Sequence, residues 1–127
     1  RDSEPLFAGE DVTMKTKTAA AYMAENQIKS VDFIKIDTEG HELAVLQGFQ
    51  EYLHHVKIVQ FEYGGINWTL DIKMADIITH LQRFGFSQFS YLAPDRLEPI
   101  KLTKDFEDHY AYCNVVCFNE KYVTMDK

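Results

Sequence analysis

Acidic side chains stand where two apolar runs of the chain end. Asp37 and Glu39 follow the run from Phe33 to Ile36, and Glu62 ends the run that starts at residue 56. Such runs predict strands that are covered on both faces of a parallel sheet, and the carboxyl ends of these strands share one edge. Carboxylates at that edge are candidates to take a proton from a substrate hydroxyl or to hold a divalent cation such as Mg²⁺. We therefore treat Asp37, Glu39 and Glu62 as candidate catalytic residues.

A structural role for the same acids is also open. Asp37 or Thr38 can cap the helix that is predicted to follow, and Glu39 is favourable near the positive end of that helix. His41 falls in the first helical turn beside these acids. It is a candidate base near neutral pH, and the alternative is an exposed histidine at the start of a helix. Spacing alone does not decide between the catalytic, metal-binding and capping roles.

The segment after the second acidic strand end carries candidate substrate-binding side chains. Tyr63, Asn67 and Trp68 lie in a stretch with two glycines, which predicts a loop near the mouth of the crevice. An aromatic ring there can stack on a sugar or a planar substrate, or it can cover the end of the sheet. Both interpretations are open. The preceding pair, His54 and His55, falls in a polar turn where we expect solvated side chains.

Alternating helix and strand patterns position these residues. The predicted elements, in chain order, are a short strand at 12–14, a helix at 19–25, a strand at 33–36, a helix at about 41–53, a strand at 56–62, a helix from 71 to 84, strands at 86–92 and 112–118, and an irregular connection that includes Pro94 and Pro99. Thr18 and Asp71 are expected N-caps, and Gly85 is expected in the left-handed conformation that ends many helices.

The alternating order of helices and strands predicts an α/β fold with a mainly parallel sheet. The last two strands have no helix pattern between them, so we expect them to pair antiparallel as a hairpin at one edge.

Composition limits the classes of partner. The 127 residues suit a single domain, with a loop at 1–11 and a polar tail at 119–127. A net charge of -7 argues against nucleic acid and anionic membranes, because both bind clustered Lys and Arg. No apolar run approaches the roughly 20 residues that span a bilayer. Cys113 and Cys117 lie four residues apart on a predicted strand, too far for a mutual disulfide. We therefore expect buried thiols and a cytoplasmic protein.

The stretch DFIKIDTEGHEL, from Asp32 to Leu43, and the VLQG that follows at 45–48 resemble the signature of the FkbM-type S-adenosylmethionine-dependent methyltransferases. Members of that family carry a similar Lys-Ile-Asp-x-Glu-Gly-x-Glu segment, a Leu-x-Gly near the helix end, and a following strand that ends in Glu. Glu62 stands at the position of that Glu. The family's usual Leu-Asp pair before the preceding helix is Lys17-Thr18 here, although Thr18 can still cap the helix.

The resemblance implies a fold, a reaction and a cofactor. The fold is a partial Rossmann-like class I methyltransferase sheet, of which this chain resembles the second half, because no glycine-rich strand-to-helix turn precedes residue 31. The reaction is methyl transfer from S-adenosylmethionine to an oxygen of a small molecule or sugar. We expect the missing N-terminal half to bind most of the cofactor, with Asp37 on the cofactor side, and these 127 residues alone to have little or no activity. A divalent metal is allowed but not favoured.

A non-enzymatic function is the alternative. A truncated or degenerate methyltransferase domain would serve as an interaction or assembly module. In the complete fold the strand Phe33 to Ile36 pairs with an earlier strand, so its edge would be open here. Open hydrophobic edges invite pairing with another chain. We therefore expect a homo-oligomer that forms through this edge.

Overall fold

The computed structural model describes residues 15–103 and 112–123, which contain five helical segments and five strands. The helices are α1 (Ala19–Glu25), α2 (Glu42–Gly48), a 3₁₀ helix (Gln50–His55), α3 (Gly65–Thr69) and α4 (Met74–Gln82). The strands are β1 (Val31–Ile36), β2 (Val56–Tyr63), β3 (Phe86–Leu92), β4 (Leu97–Pro99) and β5 (Cys113–Asn119). The predicted loop at 1–11, the predicted strand at 12–14 and the end of the predicted tail lie outside the described residues.

The strands form one sheet in the order β1-β2-β5-β3-β4. β1 and β2 are parallel, whereas β5 is antiparallel to both β2 and β3. The predicted α/β class is therefore confirmed, and the last strand pairs antiparallel with β3 as expected. Its position differs from the prediction, because β5 lies inside the sheet and β4 is the outer strand. β4 escapes sequence reasoning because it is three residues long and contains Pro99, a residue type confined largely to edge strands.

β1 is less buried than its apolar sequence suggests. Phe33 is 51% exposed, Ile34 is half-buried, and Ile36 is the one buried residue of the strand. β1 pairs with β2 and stands at the end of the strand order. The prediction of a strand covered on both faces is therefore wrong for β1, because the face that carries Phe33 and Lys35 is exposed in the described part of the chain. β2 has a strand on each side and contains no exposed residue.

The helix after β1 is shorter than predicted. α2 ends at Gly48, and Gln50, with a φ of 52°, interrupts the α-helical backbone before the 3₁₀ helix continues to His55. Leu46 and Leu53 are nevertheless fully buried, as their helical spacing predicts. The two short helices thus present one apolar side to the core even though the backbone geometry changes between them.

α4 begins later than predicted. Asp71 has a left-handed φ of 59° and lies two residues before Lys73, which is the residue that precedes the helix. The prediction that Asp71 is the N-cap is therefore wrong. Asp76 stabilises the first turn instead, because its carboxylate accepts a hydrogen bond of 2.9 Å from the backbone N–H of Lys73. The apolar stripe of α4 is buried as predicted, and Gly85, with a φ of 104°, follows the end of the helix.

The two histidines of the predicted polar turn, His54 and His55, differ in exposure. His54 is half-buried, and its ring centroid lies 5.0 Å from that of Phe84. Its ring nitrogens contact Lys121 Nζ at 2.9 Å and Glu51 at 3.3 Å. His55 is exposed, as predicted. Solvation is therefore the correct expectation for His55 and the wrong one for His54, because the ring of Phe84 and the side chain of Lys121 lie against the latter.

Candidate active site

The carboxyl ends of β1 and β2 bring Asp37 and Glu62 to the same edge of the sheet. The parallel register pairs Ile36 with Phe61, so that the next residues along the two strands, Asp37 and Glu62, are neighbours across the pair. Asp37 is exposed and Glu62 is half-buried. The sheet thus places two carboxylates side by side where the sequence pattern predicts them.

A tyrosine that sequence reasoning missed contacts this acidic edge. Tyr112 lies directly before β5 and donates its phenolic hydrogen to Oε2 of Glu62. This hydrogen bond raises the pKa of Tyr112, and desolvation and the negative charges of Glu62 and Asp37 act in the same direction, whereas a hydrogen bond with Asn114 lowers it. The β2–β5 register pairs Glu62 with Asn114 and thereby brings Tyr112 next to Glu62, although the two residues are 50 positions apart in the sequence. No local pattern could have indicated the contact.

A second residue that sequence reasoning missed is the last acid of the Asp-x-Glu-Gly-x-Glu motif. Glu42 is 1% exposed, although a carboxylate in the first turn of a helix is usually solvated. Its two oxygens accept three hydrogen bonds of 3.1 Å, from the backbone N–H groups of Thr38 and Gly40 and from Nδ2 of Asn67. A buried carboxylate is tolerated when it is hydrogen-bonded in this way. The available signal was its place in the motif, one residue before the apolar Leu43.

The turn between β1 and α2 does not cap the helix in the predicted way. The residue before α2 is His41, which is exposed and makes no side-chain capping bond. The expectation that Asp37 or Thr38 caps α2 is therefore wrong, because the helix starts four residues after Thr38 and that turn is bonded to Glu42. Glu39 is exposed in a left-handed conformation with a φ of 53°. Glu39 and His41 are therefore both accessible to solvent in this turn.

The segment after β2 is a helix rather than the predicted loop. α3 occupies Gly65–Thr69 and contains Asn67, whereas Tyr63 is the last residue of β2. Both of these predicted substrate-binding residues are buried. Tyr63 is 0% exposed and donates its hydroxyl to the carbonyl oxygen of Ile72 at 3.0 Å. Asn67 is 2% exposed, and its amide group bonds Glu42 and the backbone N–H of Gly64. Direct substrate binding by Tyr63 and Asn67 is therefore not supported by the geometry, because both side chains are enclosed and engaged.

Trp68 is the predicted substrate-binding residue that does reach the surface. Its side chain is 41% exposed on α3. It lines a cavity of about 330 Å³ together with Asp71, Ile72 and Lys73, in the turn that leads from α3 to α4. The cavity is formed by one aromatic ring, one apolar side chain and two residues of opposite charge, a combination that suits a small polar ligand with a flat or apolar face.

A second cleft is remote from these residues. It measures about 720 Å³ and is lined by Ile28 and Lys29 before β1, by Tyr52 and His55 before β2, and by residues of α1 and the turn after it. These positions belong to the amino ends of the strands, opposite the acidic edge.

Within residues 15–103 and 112–123, no three His, Cys, Asp or Glu side chains group closely enough to hold a metal ion. In the same ranges, every helix is too short or too polar to cross a bilayer.

Comparison with known protein families identifies the sequence pattern. Residues 2–87 match the family model of the methyltransferase FkbM domain. The match extends over more than half of the 127 residues and includes β1, β2 and the acidic edge that they form. No match to the chain was found among the curated proteins or the solved structures.

Proposed function

This chain belongs to the FkbM methyltransferase family, and on that premise we propose that it supports transfer of a methyl group from S-adenosylmethionine to an oxygen of a small molecule or sugar. One observation carries the proposal. Glu62, at the carboxyl end of β2, is held by the Tyr112 hydroxyl and lies beside Asp37 at the end of β1. Ligands of open α/β sheets bind at this edge, so the carboxylates stand where an acceptor would meet the cofactor.

Glu62 is the residue that we assign as the general base. A base must accept the acceptor's proton while its own orientation is fixed. Tyr112 occupies Oε2 of Glu62, which leaves Oε1 to face the acceptor hydroxyl. The acceptor hydroxyl would lose its proton to Glu62 as its oxygen takes the methyl group, and the electron pair of the broken carbon–sulfur bond would stay on the sulfur of the cofactor. Orientation of a base by a third group is the arrangement that makes such a transfer efficient.

The negative charge of Asp37 is complementary to the positively charged groups of the cofactor. When bound, S-adenosylmethionine supplies a methyl group on a positively charged sulfur, which becomes neutral as the methyl group leaves. Asp37 is an exposed carboxylate beside Glu62, and the two acids provide negative charge for the sulfonium and ammonium groups of the cofactor. Asp37 therefore binds and orients, whereas Glu62 moves the proton. The proposed steps require no divalent cation at these two carboxylates.

Trp68 is the residue that we assign to acceptor binding. The cavity beside Trp68 measures about 330 Å³, and Asp71 and Lys73 are among the residues that line it. An indole ring can stack on the apolar face of a sugar, and the two charged side chains can bind its hydroxyl groups. Glu39 and His41 are exposed at the neighbouring turn and are assigned to the rim of the acceptor site. Tyr63 and Asn67 are left out of direct binding because both are buried.

Assembly and location form a second part of the proposal. The apolar Phe33 is 51% exposed on β1, the end strand of the described sheet. Such an edge favours pairing with a second copy of the chain, so we assign this protein a homo-oligomeric state. Cys113 and Cys117 carry thiols rather than a disulfide. Thiols suit a reducing compartment, which supports a cytoplasmic location.

The transfer itself can be tested without knowing the acceptor. The full-length protein would be incubated with methyl-tritiated S-adenosylmethionine and a panel of sugars and small alcohols, with amino sugars as the matched alternative. We expect tritium in hydroxyl compounds as an alkali-stable ether. Label that is recovered only as N-methyl groups of the amino sugars would contradict transfer to oxygen, and label that enters no acceptor or product would contradict the reaction as a whole.

A further inference from the structure

The buried side chains of Glu42 and Asn67 join the two loops that carry the acidic edge. Glu42 belongs to α2, after β1, and Asn67 belongs to α3, after β2. Nδ2 of Asn67 donates to Oε1 of Glu42 at 3.1 Å, across 25 residues of sequence. We propose that Glu42 and Asn67 are positioning residues that set the geometry between Tyr112 and Glu62 beside Asp37. This assignment rests on the function proposed above for Glu62.

On one side, Glu42 fixes the loop that follows Asp37. The carboxylate accepts hydrogen bonds of 3.1 Å from the backbone N–H groups of Thr38 and Gly40. Without this carboxylate, the two N–H groups would lose their acceptor, and the buried N–H of Gly40 would destabilise the turn because it would have no partner. A single side chain thus holds the backbone on both sides of Glu39 and determines the direction in which Asp37 leaves β1.

On the other side, Asn67 fixes the loop that follows Glu62. Oδ1 of Asn67 accepts a hydrogen bond of 3.0 Å from the backbone N–H of Gly64. Gly64 packs against Tyr112, because a Cβ atom on Gly64 would lie 3.2 Å from Cδ1 of the ring. Tyr112 in turn donates to Glu62. An uninterrupted series of contacts therefore leads from Glu42 through Asn67 and Gly64 to the Tyr112–Glu62 pair.

Neither residue reaches the reaction edge itself. Glu42 and Asn67 are 1% and 2% exposed, so they act through Gly64 and Tyr112 rather than on a substrate. The carboxylate and the amide are also suited to each other. The carboxylate only accepts, and it receives two backbone donors and one amide donor, while the amide oxygen remains available for Gly64. This match explains why a charged residue is buried at the start of α2.

The ionisation of Tyr112 reports the proposed geometry without any ligand. The bond to Glu62 raises the pKa of Tyr112, and Asp37 and Asn114 are the other groups that act on it. The protein would be labelled with ¹³C at tyrosine Cζ, and the Tyr112 resonance would be assigned by its loss in Tyr112→Phe. Glu62→Ala then defines the Tyr112 pKa when the bond to Glu62 is removed.

Two variants break the link from opposite loops. Asn67→Ala removes the acceptor of Gly64, and Glu42→Gln places an amide donor against the backbone N–H groups that the carboxylate binds. In both we expect the Tyr112 pKa to fall from the wild-type value most of the way to the Glu62→Ala value, because the Tyr112–Glu62 bond loosens. If both variants fold and titrate Tyr112 as the wild type does, the assignment is overturned.

Asn119 provides a matched control at the other end of the sheet. It is 0% exposed, donates to the carbonyl oxygens of Val56 and Phe84 at 3.0 and 3.3 Å, and accepts from the N–H of Lys121. Asn119→Ala should therefore destabilise the fold about as much as Asn67→Ala, and we expect it to leave the Tyr112 pKa at the wild-type value. An equal fall in both alanine variants would show general loosening and would overturn the specific link.

An exchanged pair keeps the test decisive if the single variants do not fold. In Glu42→Gln with Asn67→Asp, the amide and the carboxylate change places, so the bond between the two loops is restored while one backbone bond of residue 42 is lost. We expect this double variant to fold and to recover the wild-type Tyr112 titration. A double variant that stays unfolded, or that folds with the Glu62→Ala titration, would overturn the assignment. None of these titrations uses S-adenosylmethionine, so their outcome is independent of whether methyl transfer is found.

Discussion

Gly40 and Ile66 are in such close contact that a Cβ atom on residue 40 would lie 2.6 Å from Cγ2 of Ile66. The same atom would lie 2.9 Å from Cδ1 of Leu70. Gly40 also has a φ of 107°, which residues with a Cβ atom rarely adopt. The turn after β1 can therefore approach α3 only because residue 40 is glycine, and this approach is what brings the two strand-end loops together.

Gly40→Ala should destabilise the protein, and Gly65→Ala should not. The first variant combines an unfavourable backbone conformation with a clash against Ile66, and we expect a loss of about 2–4 kcal/mol in the free energy of unfolding. Gly65 has no atom within 4 Å of its Cβ position and lies in α3, so alanine there should be neutral or stabilising by up to about 1 kcal/mol. Urea denaturation measures both. Equal stability of the two variants would contradict the close approach of the loops.

His80 should make the protein sensitive to mild acid. Burial, together with the positive charge of Arg83, lowers the pKa of His80, while a backbone hydrogen bond with Leu46 raises it. Its Nε2 is buried without a hydrogen-bond partner in the described part of the chain. Because the folded state favours the neutral ring, the stability that it contributes is complete above the ordinary pKa of about 6.5 and is lost as the pH falls through the folded-state pKa.

Thermal or urea unfolding between about pH 7.5 and pH 5 tests this dependence. We expect His80→Leu to lose less stability than the wild type over that range, because the leucine cannot be protonated. His55→Gln replaces an exposed histidine and should retain the wild-type pH dependence. The explanation fails if His80→Leu and the wild type lose the same stability on acidification.

Local sequence patterns predict the elements and their order well. The spacing of Met74, Ile77 and Leu81 identifies the buried face of α4, and the apolar runs identify β1 and β2. The acidic strand ends follow directly from those runs, since parallel strands share an edge. These features could be predicted because each depends on residues that are close together in the chain.

The features that could not be predicted depend on strand pairing between distant segments or on hydrogen bonds between buried polar side chains of different segments. Tyr112 reaches Glu62 through the β2–β5 register, and nothing near Tyr112 in the sequence encodes that register. The two glycines before Asn67 favour a loop in the sequence pattern. In the structure, the Asn67 amide is buried and donates a hydrogen bond to Glu42. The burial of Glu42 could not be predicted either, because a carboxylate is buried only when donors from another segment satisfy it.

Phe33 should govern self-association. It is 51% exposed on β1, and replacing it with lysine puts a charge on the edge strand, a common protection against edge pairing. We expect the wild-type protein to form dimers or larger species at high micromolar concentration, and Phe33→Lys to shift it to monomer. Leu92→Lys changes an equally exposed residue, 47%, on β3, a strand with neighbours on both sides, and should leave association intact.

Sedimentation equilibrium over a range of concentrations measures these species directly. A wild-type protein that stays monomeric at the highest concentration would contradict association through β1. A shift to monomer in Leu92→Lys as strong as that in Phe33→Lys would point to general surface charge rather than to the β1 edge.

The kinetics of Glu62 and Asp37 variants in methyl transfer test the central claim most directly. The full-length protein would be assayed with methyl-tritiated S-adenosylmethionine and the best acceptor from the panel. We expect Glu62→Gln to lower kcat by about 10²–10⁴-fold because the base is lost, and Asp37→Asn to raise the KM for the cofactor about fivefold. Asp32→Asn is the matched control, since Asp32 is an exposed carboxylate near the other end of β1, paired with Lys57 at 2.9 Å. It should change neither constant by more than about twofold, whereas a Glu62→Gln variant with the wild-type kcat would contradict the account.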